Sequence, residues 1–329
     1  IAARHVRPLF ARTARALLAS VLPHPGRFRA AMQLVRLARP LRWLLPGRLK
    51  AMVDVVPKSM KRSPSRQGEI RSLAPEGTRR RRVALSHGCV QQIAGAHINL
   101  AAERLLRRLG CEVVVAEGKA CCGALTHHLG KTREALEYVT ANVAAWSAEL
   151  EGNGLDAIVT TASGCGTMVK DYGYLLNDDP EYARPARRVA GIARDITEVV
   201  ADLGLPEIKN PPALRVAYQD ACSLVHGQRV HEEPRNLLRS AGFDVVEVPD
   251  GHLCCGSAGT YNVLQPALGE RLRALKMANI KSVDPDVIAV GNIGCMNQMS
   301  ARPGTPVVHT VELLDWATGG PRPPAFQPD

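Results

Sequence analysis

Cys121-Cys122-Gly123-Ala124 and Cys254-Cys255-Gly256-Ser257 are near-identical tetrapeptides set 133 residues apart in a chain of 329. Working outward from them, a lone cysteine stands 32 residues before each pair, Cys89 and Cys222, and another follows each pair, Cys165 and Cys295. Eight of the nine cysteines thus fall into two equivalent sets of four. Four thiolates are the usual ligand complement of an iron-sulfur cluster or a structural zinc ion, so each set is expected to converge on one inorganic centre.

The repeat extends beyond the cysteines. Arg82 to Cys89 (RVALSHGC) matches Arg215 to Cys222 (RVAYQDAC), and Leu105 to Gly110 (LLRRLG) matches Leu237 to Gly242 (LLRSAG). Leu155 to Val159 leading to Gly164-Cys165 matches Pro285 to Ala289 leading to Gly294-Cys295. A period this long means duplicated domains, because solenoid repeats are much shorter. The register also places the ninth cysteine, Cys111, opposite Phe243, where an apolar residue opens a strand. Cys111 is therefore read as a small core hydrophobe.

Within each copy short β-branched runs alternate with longer helical patterns. Strands are predicted at 83–86, 112–116 and 157–161 in the first copy and at 214–218, 244–248, 287–290 and 307–309 in the second. Helices are predicted at 96–109, 132–150, 233–241 and 268–280. This rhythm specifies an α/β fold of two tandem duplicated domains, small parallel sheets flanked by helices, preceded by a basic helical segment. Loops at the carboxyl ends of parallel strands meet at one sheet edge, so cysteines tens of residues apart can reach one point. The divisions read from composition are a basic helical segment at 1–57, a linker at 58–81, domains at 82–204 and 213–316, and a disordered tail at 317–329.

Net charge is +11, and its location is informative. Residues 1–50 carry eleven Arg or Lys and no Asp or Glu, which leaves the remainder neutral. The basicity belongs to one segment, so nucleic-acid binding by the whole chain is not indicated. Alternation of Arg with Leu, Ala and Val there, broken at Pro23, Pro25, Pro40 and Pro46, predicts short amphipathic helices. They could rest on an anionic membrane surface, dock on a partner, or form a collar on the repeats, and the composition also allows a transit peptide. Nine cysteines in so long a chain argue against a secreted disulfide scaffold, and no apolar run reaches a membrane span. A cytoplasmic protein, peripheral on the inner face of the membrane, is the expectation. Since the chain opens on Ile1, an upstream portion is expected too.

Structural zinc generally uses close C-x2-C pairs sharing one turn, and no such pair exists here. Two adjacent thiolates are awkward on one tetrahedral ion but can reach different irons of a cluster, which favours iron-sulfur chemistry. A zinc-stabilised scaffold and a thiol-disulfide exchange protein acting at the vicinal pairs remain as alternatives.

The doubled C...CCG...C pattern resembles the cysteine-rich CCG domain of heterodisulfide reductases. The whole chain, as far as His309-Thr310-Val311-Glu312-Leu313-Leu314-Asp315, is similar to iron-sulfur subunits of bacterial glycolate oxidases. Relatives serving lactate or anaerobic glycerol-3-phosphate oxidation share the tandem arrangement. The resemblance implies an electron-transfer subunit of an oxidase complex. One iron-sulfur cluster of 4Fe-4S type would lie in each repeat, on Cys89, Cys121, Cys122 and Cys165 and on Cys222, Cys254, Cys255 and Cys295. FAD would sit on a flavoprotein partner only, and electrons would pass toward a membrane quinone. No G-x-G-x-x-G fingerprint appears, in keeping with hydride chemistry elsewhere.

The chain departs from the family pattern in two ways. Ala162 and Met168 flank Cys165, and Asn292 and Gln298 flank Cys295, where the family often has a C-x2-C ending; the ferredoxin-like C-x2-C-x2-C-x3-C-P motifs are also not present. His87, His127, His128, His226 and His252 lie near the cysteines but match in no register between the copies. They are read as exposed or capping histidines.

Overall fold

A computed structural model describes residues 8–38, 71–116, 121–209 and 213–326. It contains two sheets. The first runs β1-β3-β2-β4-β5 and the second β7-β6-β8-β9. The strands are β1 (Arg71–Leu73), β2 (Arg81–Ser86), β3 (Cys111–Val115), β4 (Ala157–Thr160), β5 (Ala193–Asp195), β6 (Arg215–Gln219), β7 (Asp244–Val246), β8 (Val287–Val290) and β9 (Val307–His309). Leaving β1 aside, the two sheets have the same order and are parallel throughout.

The duplication is visible down to single hydrogen bonds. Val83 pairs with Ala157 and Val216 with Val287 in the central strands. At the entrance to each sheet an aspartate closes a reciprocal clamp. Asp156 Oδ2 accepts from the Arg82 N–H at 2.7 Å while its own N–H donates to the Arg82 carbonyl, and Asp286 repeats both bonds on Arg215, the first at 2.8 Å. The strands β4 and β8 are buried along their whole length, as continuous apolar runs covered on both faces must be.

Two elements had no sequence signal. The predicted linker contributes β1, an antiparallel edge strand on β3. Arg-Ser-Leu carries no β pattern, and the strand is held by side chains, Arg71 on Glu103 at 2.6 Å and Ser72 on Glu112 at 2.9 Å. The three-residue β5 is the first-copy counterpart of β9. Both end in a capped helix, Asp195 capping Ile196–Leu203 and His309 capping Thr310–Ala317, each with a glutamate at N3 completing the box. Residues 58–70 of the expected linker lie outside the described residues.

The expected tail also differs. Phe326 packs on Trp316 with ring centroids 5.7 Å apart, and Arg322 lies over both rings. Two aromatic rings bury enough surface to hold a segment whose Pro and Gly content reads as unstructured. Residues 327–329 are outside the described part.

The basic segment forms helices Leu9–Val21 and Pro25–Ala38, the second beginning at a proline, which supplies a preset φ where no N–H is needed. Leu18 and Ala19 pack on Leu129 of the first copy and on Val263 and Leu264 of the second, and Tyr138 Oη meets His24 Nε2 at 3.3 Å. Leu9, Leu17, Leu34 and Leu37 face outward. Residues 1–7 and 39–57 of this segment are not among the described ones. No helix among the described residues is long and apolar enough to cross a membrane.

The copies join back to back. The helix Ser163–Lys170 of the first packs on a π-helical turn, Ser223–Gln228, of the second. Ser163 and Ser223 hydroxyls meet at 2.7 Å, Thr167 Oγ1 donates to the Ser223 carbonyl at 2.9 Å, and Gln228 Nε2 donates to the Ser163 carbonyl at 2.9 Å. Gly166 permits this approach, since a Cβ there would enter the Gln228 amide. At the other end Asp315, almost fully buried, takes Arg104 Nε at 2.9 Å and also pairs with Arg108. One apolar core accordingly contains residues of both sheets, Val83 and Val113 with Val216 and Val308.

Candidate metal centres

Cys89 and Cys222 lie just past the ends of β2 and β6. Cys165 and Cys295 are the third residues of the helices Ser163–Lys170 and Ile293–Met299, which follow β4 and β8. The vicinal pairs come after β3 and β7. All eight therefore sit at the carboxyl edges of parallel strands, the position a ligand takes in such folds.

Each quartet is brought together. In the first, Cys89 Sγ contacts Cys121 Sγ at 3.5 Å, Cys121 interacts with Cys122, and Cys122 with Cys165. In the second, Cys222 interacts with Cys254, Cys254 with Cys255, and Cys255 Sγ contacts Cys295 Sγ at 3.1 Å. The order of contact is the same in both copies. All nine cysteines are free thiols, these sulfur separations standing well beyond the roughly 2.05 Å of a disulfide bond. Among the described residues no three Cys, His, Asp or Glu side chains are arranged to hold a single metal ion; the contacts run pairwise along each quartet instead.

The backbone serves the sulfurs. Gly123 and Gly256 both adopt φ +89°, a left-handed conformation that costs an L-residue roughly 1–2 kcal/mol. In this conformation Gly123 N–H donates to Cys121 Sγ at 3.4 Å and Gly256 N–H to Cys254 Sγ at 3.3 Å. A Cβ would strike the carbonyl oxygen of Ala135 in the first copy and of Gly269 in the second. These contacts put Gly123 and Gly256 in the same register against the following helices, Thr132–Gly152 and Pro266–Lys281, so Asn142 and Lys276 are equivalent positions.

Thiol hydrogen bonds polarise the quartets. Bonds from Cys121 and then Cys165 hold Cys122 well below the ordinary thiol range, while the same kind of contact raises Cys121. In the second quartet Cys222 and then Cys255 lower Cys254, and Cys222 and Cys255 are raised in return. Cys295 is lowered as well, by its contact with Cys255, so in each quartet thiols of lowered and raised pKa lie side by side. The donor set, four convergent thiols with amide N–H groups aimed at sulfur, fits an iron-sulfur cluster at each site.

The two surroundings are unlike. Cys89, Cys121 and Cys122 are buried and Cys165 is half-buried; Cys89 and Cys121 pack with Tyr138, whose hydroxyl meets His24 in the turn between the two N-terminal helices. Cys222 is exposed and lines a cavity of about 280 Å³ with His226, His231, His252, Arg235 and Glu247. Of the histidines noted in the sequence, His87 is buried against Glu103 at 3.1 Å and His127 and His128 pack edge to face with each other, while His226 and His252 line the cavity. Cys111 lies fully buried in the apolar core with Phe243 and is pushed up to about 11 by burial.

Sequence reading missed several residues around the centres. Tyr172 donates to the Cys122 carbonyl at 2.9 Å, and Asn142 donates to the Cys121 carbonyl at 2.9 Å. Lys276, with no exposed surface, donates to the carbonyls of Asp250 and Gly251 at 3.1 and 3.0 Å. Asn292 Nδ2 donates to Cys295 Sγ at 3.3 Å. The only available signal was register: a polar residue on the inward stripe of the helix after each CCG, and a residue three before the last cysteine.

Residues 83–170 and 216–300 each match the model of the CCG cysteine-rich domain. The chain is 36% identical over 311 residues to the glycolate oxidase iron-sulfur subunit of Escherichia coli, covering 94% of this chain and 73% of that subunit. It is 33% identical to the probable glycolate oxidase iron-sulfur subunit of Bacillus subtilis, over 91% of this chain and 71% of that one. Lactate utilization protein A of Geobacillus kaustophilus is 28% identical over 71% of this chain. A hypothetical protein from Helicobacter pylori shares the fold at a TM-score of 0.55 and 13% identity, over 76% of this chain and 51% of that one. With both cysteine quartets inside the matched domains, the chain belongs to the CCG-domain family that includes the iron-sulfur subunits of glycolate oxidases.

Proposed function

We propose that this chain is the electron-transfer subunit of a 2-hydroxy-acid oxidase complex, glycolate being the substrate its relatives' names favour. On this reading Cys89, Cys121, Cys122 and Cys165 hold one iron-sulfur cluster and Cys222, Cys254, Cys255 and Cys295 a second, of 4Fe-4S type. Clusters so held accept and release electrons one at a time. The protein's own part is to fix eight cysteine side chains, direct the Gly123 and Gly256 N–H groups at sulfur, and keep Cys89, Cys121 and Cys122 from water. FAD belongs to a partner subunit that oxidises the hydroxy acid, and a quinone is the final acceptor. The outward leucines on Leu9–Val21 and Pro25–Ala38, together with the exposed Arg12, Arg27 and Arg29, suit the surface of an anionic membrane.

The observation that carries this reading is the identical order of sulfur contacts in two copies whose other side chains have diverged. Anaerobic purification should yield a brown protein with iron and acid-labile sulfide, a paramagnetic signal on reduction, and reduction by the flavoprotein partner in the presence of glycolate. A colourless protein carrying zinc, or none of these metals, overturns it.

A further inference from the structure

The duplication offers an internal control, because one scaffold surrounds two quartets and the side chains that differ between them can be read as differences in electrostatics. Three such differences bear on the sulfurs. Asn142, neutral, donates to the Cys121 carbonyl beneath the first vicinal pair; the equivalent Lys276 has no exposed surface and its Nζ donates to the Asp250 and Gly251 carbonyls, a few residues before Cys254 and Cys255. Ala162, three residues before Cys165, offers no side-chain donor, whereas Asn292, three before Cys295, gives an N–H to Cys295 sulfur. Cys89 is 4% exposed, and Cys222 is open to the cavity.

A buried cation, an added N–H···S bond and access to solvent each stabilise negative charge, and these are the terms through which a protein sets the potential of an iron-sulfur site. All three act in the same direction and at the same copy. Resting on the relay reading above, we infer that the two sites are ordered, the second taking up an electron at higher potential than the first, with Lys276 and Asn292 as the residues that set the difference. The step is simple in its balance. One electron leaves the first site, which is oxidised by one, and the second is reduced by one; no bond is made or broken and no proton moves. The Ser163–Ser223 contact at 2.7 Å, where the helix bearing Cys165 meets the turn following Cys222, places the two sites on facing segments of the joint.

The test is a potentiometric titration of the anaerobically purified protein followed by paramagnetic resonance. Cys165→Ser and Cys295→Ser, each expected to remove one signal, assign the two sites. In the wild type the second site should reduce first. Lys276→Asn, which installs the first copy's residue, should lower the reduced-to-oxidised ratio of the second site at least tenfold at fixed potential, 59 mV for a one-electron couple. Asn292→Ala should lower it by a smaller factor. Ala162→Asn should raise the ratio at the first site, an effect that no structural damage in the second copy could produce, so the inference stays testable even if Lys276→Asn fails to fold. Two loaded sites that titrate in the opposite order, or that ignore Asn292→Ala and Ala162→Asn, overturn the ordering while leaving the relay intact. A wild-type protein without iron and sulfide removes the relay reading and the ordering with it.

Discussion

The first and second cysteine quartets are held by equivalent strands, equivalent turn glycines and the same order of sulfur contacts, yet Cys89 is enclosed and its counterpart Cys222 is open. In the first copy Tyr138 packs on Cys89 and Cys121 and is met from outside the repeat by His24, in the turn between the N-terminal helices. The corresponding sheet-entry arginines show the same contrast. Arg82 is buried and tied to Glu112, Glu149 and the Gly154 carbonyl, whereas Arg215 is largely exposed and reaches Asp244 at 3.3 Å. A duplicated scaffold thus fixes where ligands converge, and the surroundings of each copy decide how much water and charge they meet.

The largest effect expected from breaking this comparison is loss of a centre. Cys122→Ser and Cys254→Ser should each remove roughly half of the bound iron, one centre of two, and metal analysis of the anaerobic proteins measures it. If the copies are independent, the remaining signal should be unchanged in either variant.

The turn glycines sharpen the comparison next. Gly256→Ala should cost about 3 kcal/mol, the left-handed backbone penalty plus collision with the Gly269 carbonyl. Gly123→Ala should cost about 2 kcal/mol, its Cβ meeting the Ala135 oxygen at 3.0 Å. Denaturant unfolding of the two variants checks both the size and the order.

The capping boxes give a pH-dependent contrast. His309 Nε2–H donates to the Thr161 carbonyl at 2.7 Å and Nδ1 accepts from Val311 N–H at 3.1 Å, which fixes a neutral tautomer. Burial lowers its pKa to about 4 from an ordinary 6.5. The unfolded chain therefore takes up the proton first, and this contribution, about 3 kcal/mol, is present above pH 6.5 and lost as pH falls toward 4. Asp195 in the first copy is raised by burial to about 6, so its effect has the opposite sign: stability is lost as pH rises from about 4 through 6. Unfolding measured between pH 4 and 7 should show the acid-side loss abolished in His309→Asn and the loss with rising pH reduced in Asp195→Asn.

The smallest difference concerns access. In metal-free protein a thiol-alkylating reagent should modify the second quartet before the first, because Cys222 is exposed and Cys254 beside it is a lowered thiol, while Cys89 and Cys121 are buried. Mass spectrometry of peptides over time reads the order. Equal rates would mean that the N-terminal helices do not shield the first quartet.

The cysteine register alone was enough to find both quartets and to set Cys111 apart, since identical spacing in two copies constrains where each thiol must sit relative to its sheet. The strand–helix rhythm was legible as well, because β8 is a continuous apolar run, β4 nearly so, and β2 and β6 each carry an apolar triplet after an arginine, as strands covered on both faces do. Periodicity could not reveal β1 or β5, three-residue strands held by partners rather than by their own pattern, nor the packing of Phe326.

Sequence by itself determined which thiols belong together, since that follows from local spacing carried through a duplication. Only the tertiary structure decided what each quartet faces: Asn142 or Lys276 beneath it, Ala162 or Asn292 beside it, a helical cover or an open cavity above it. Such neighbours meet through packing between segments remote along the chain, and burial then multiplies the effect of a charge or an N–H that a linear reading would count as one polar residue among many.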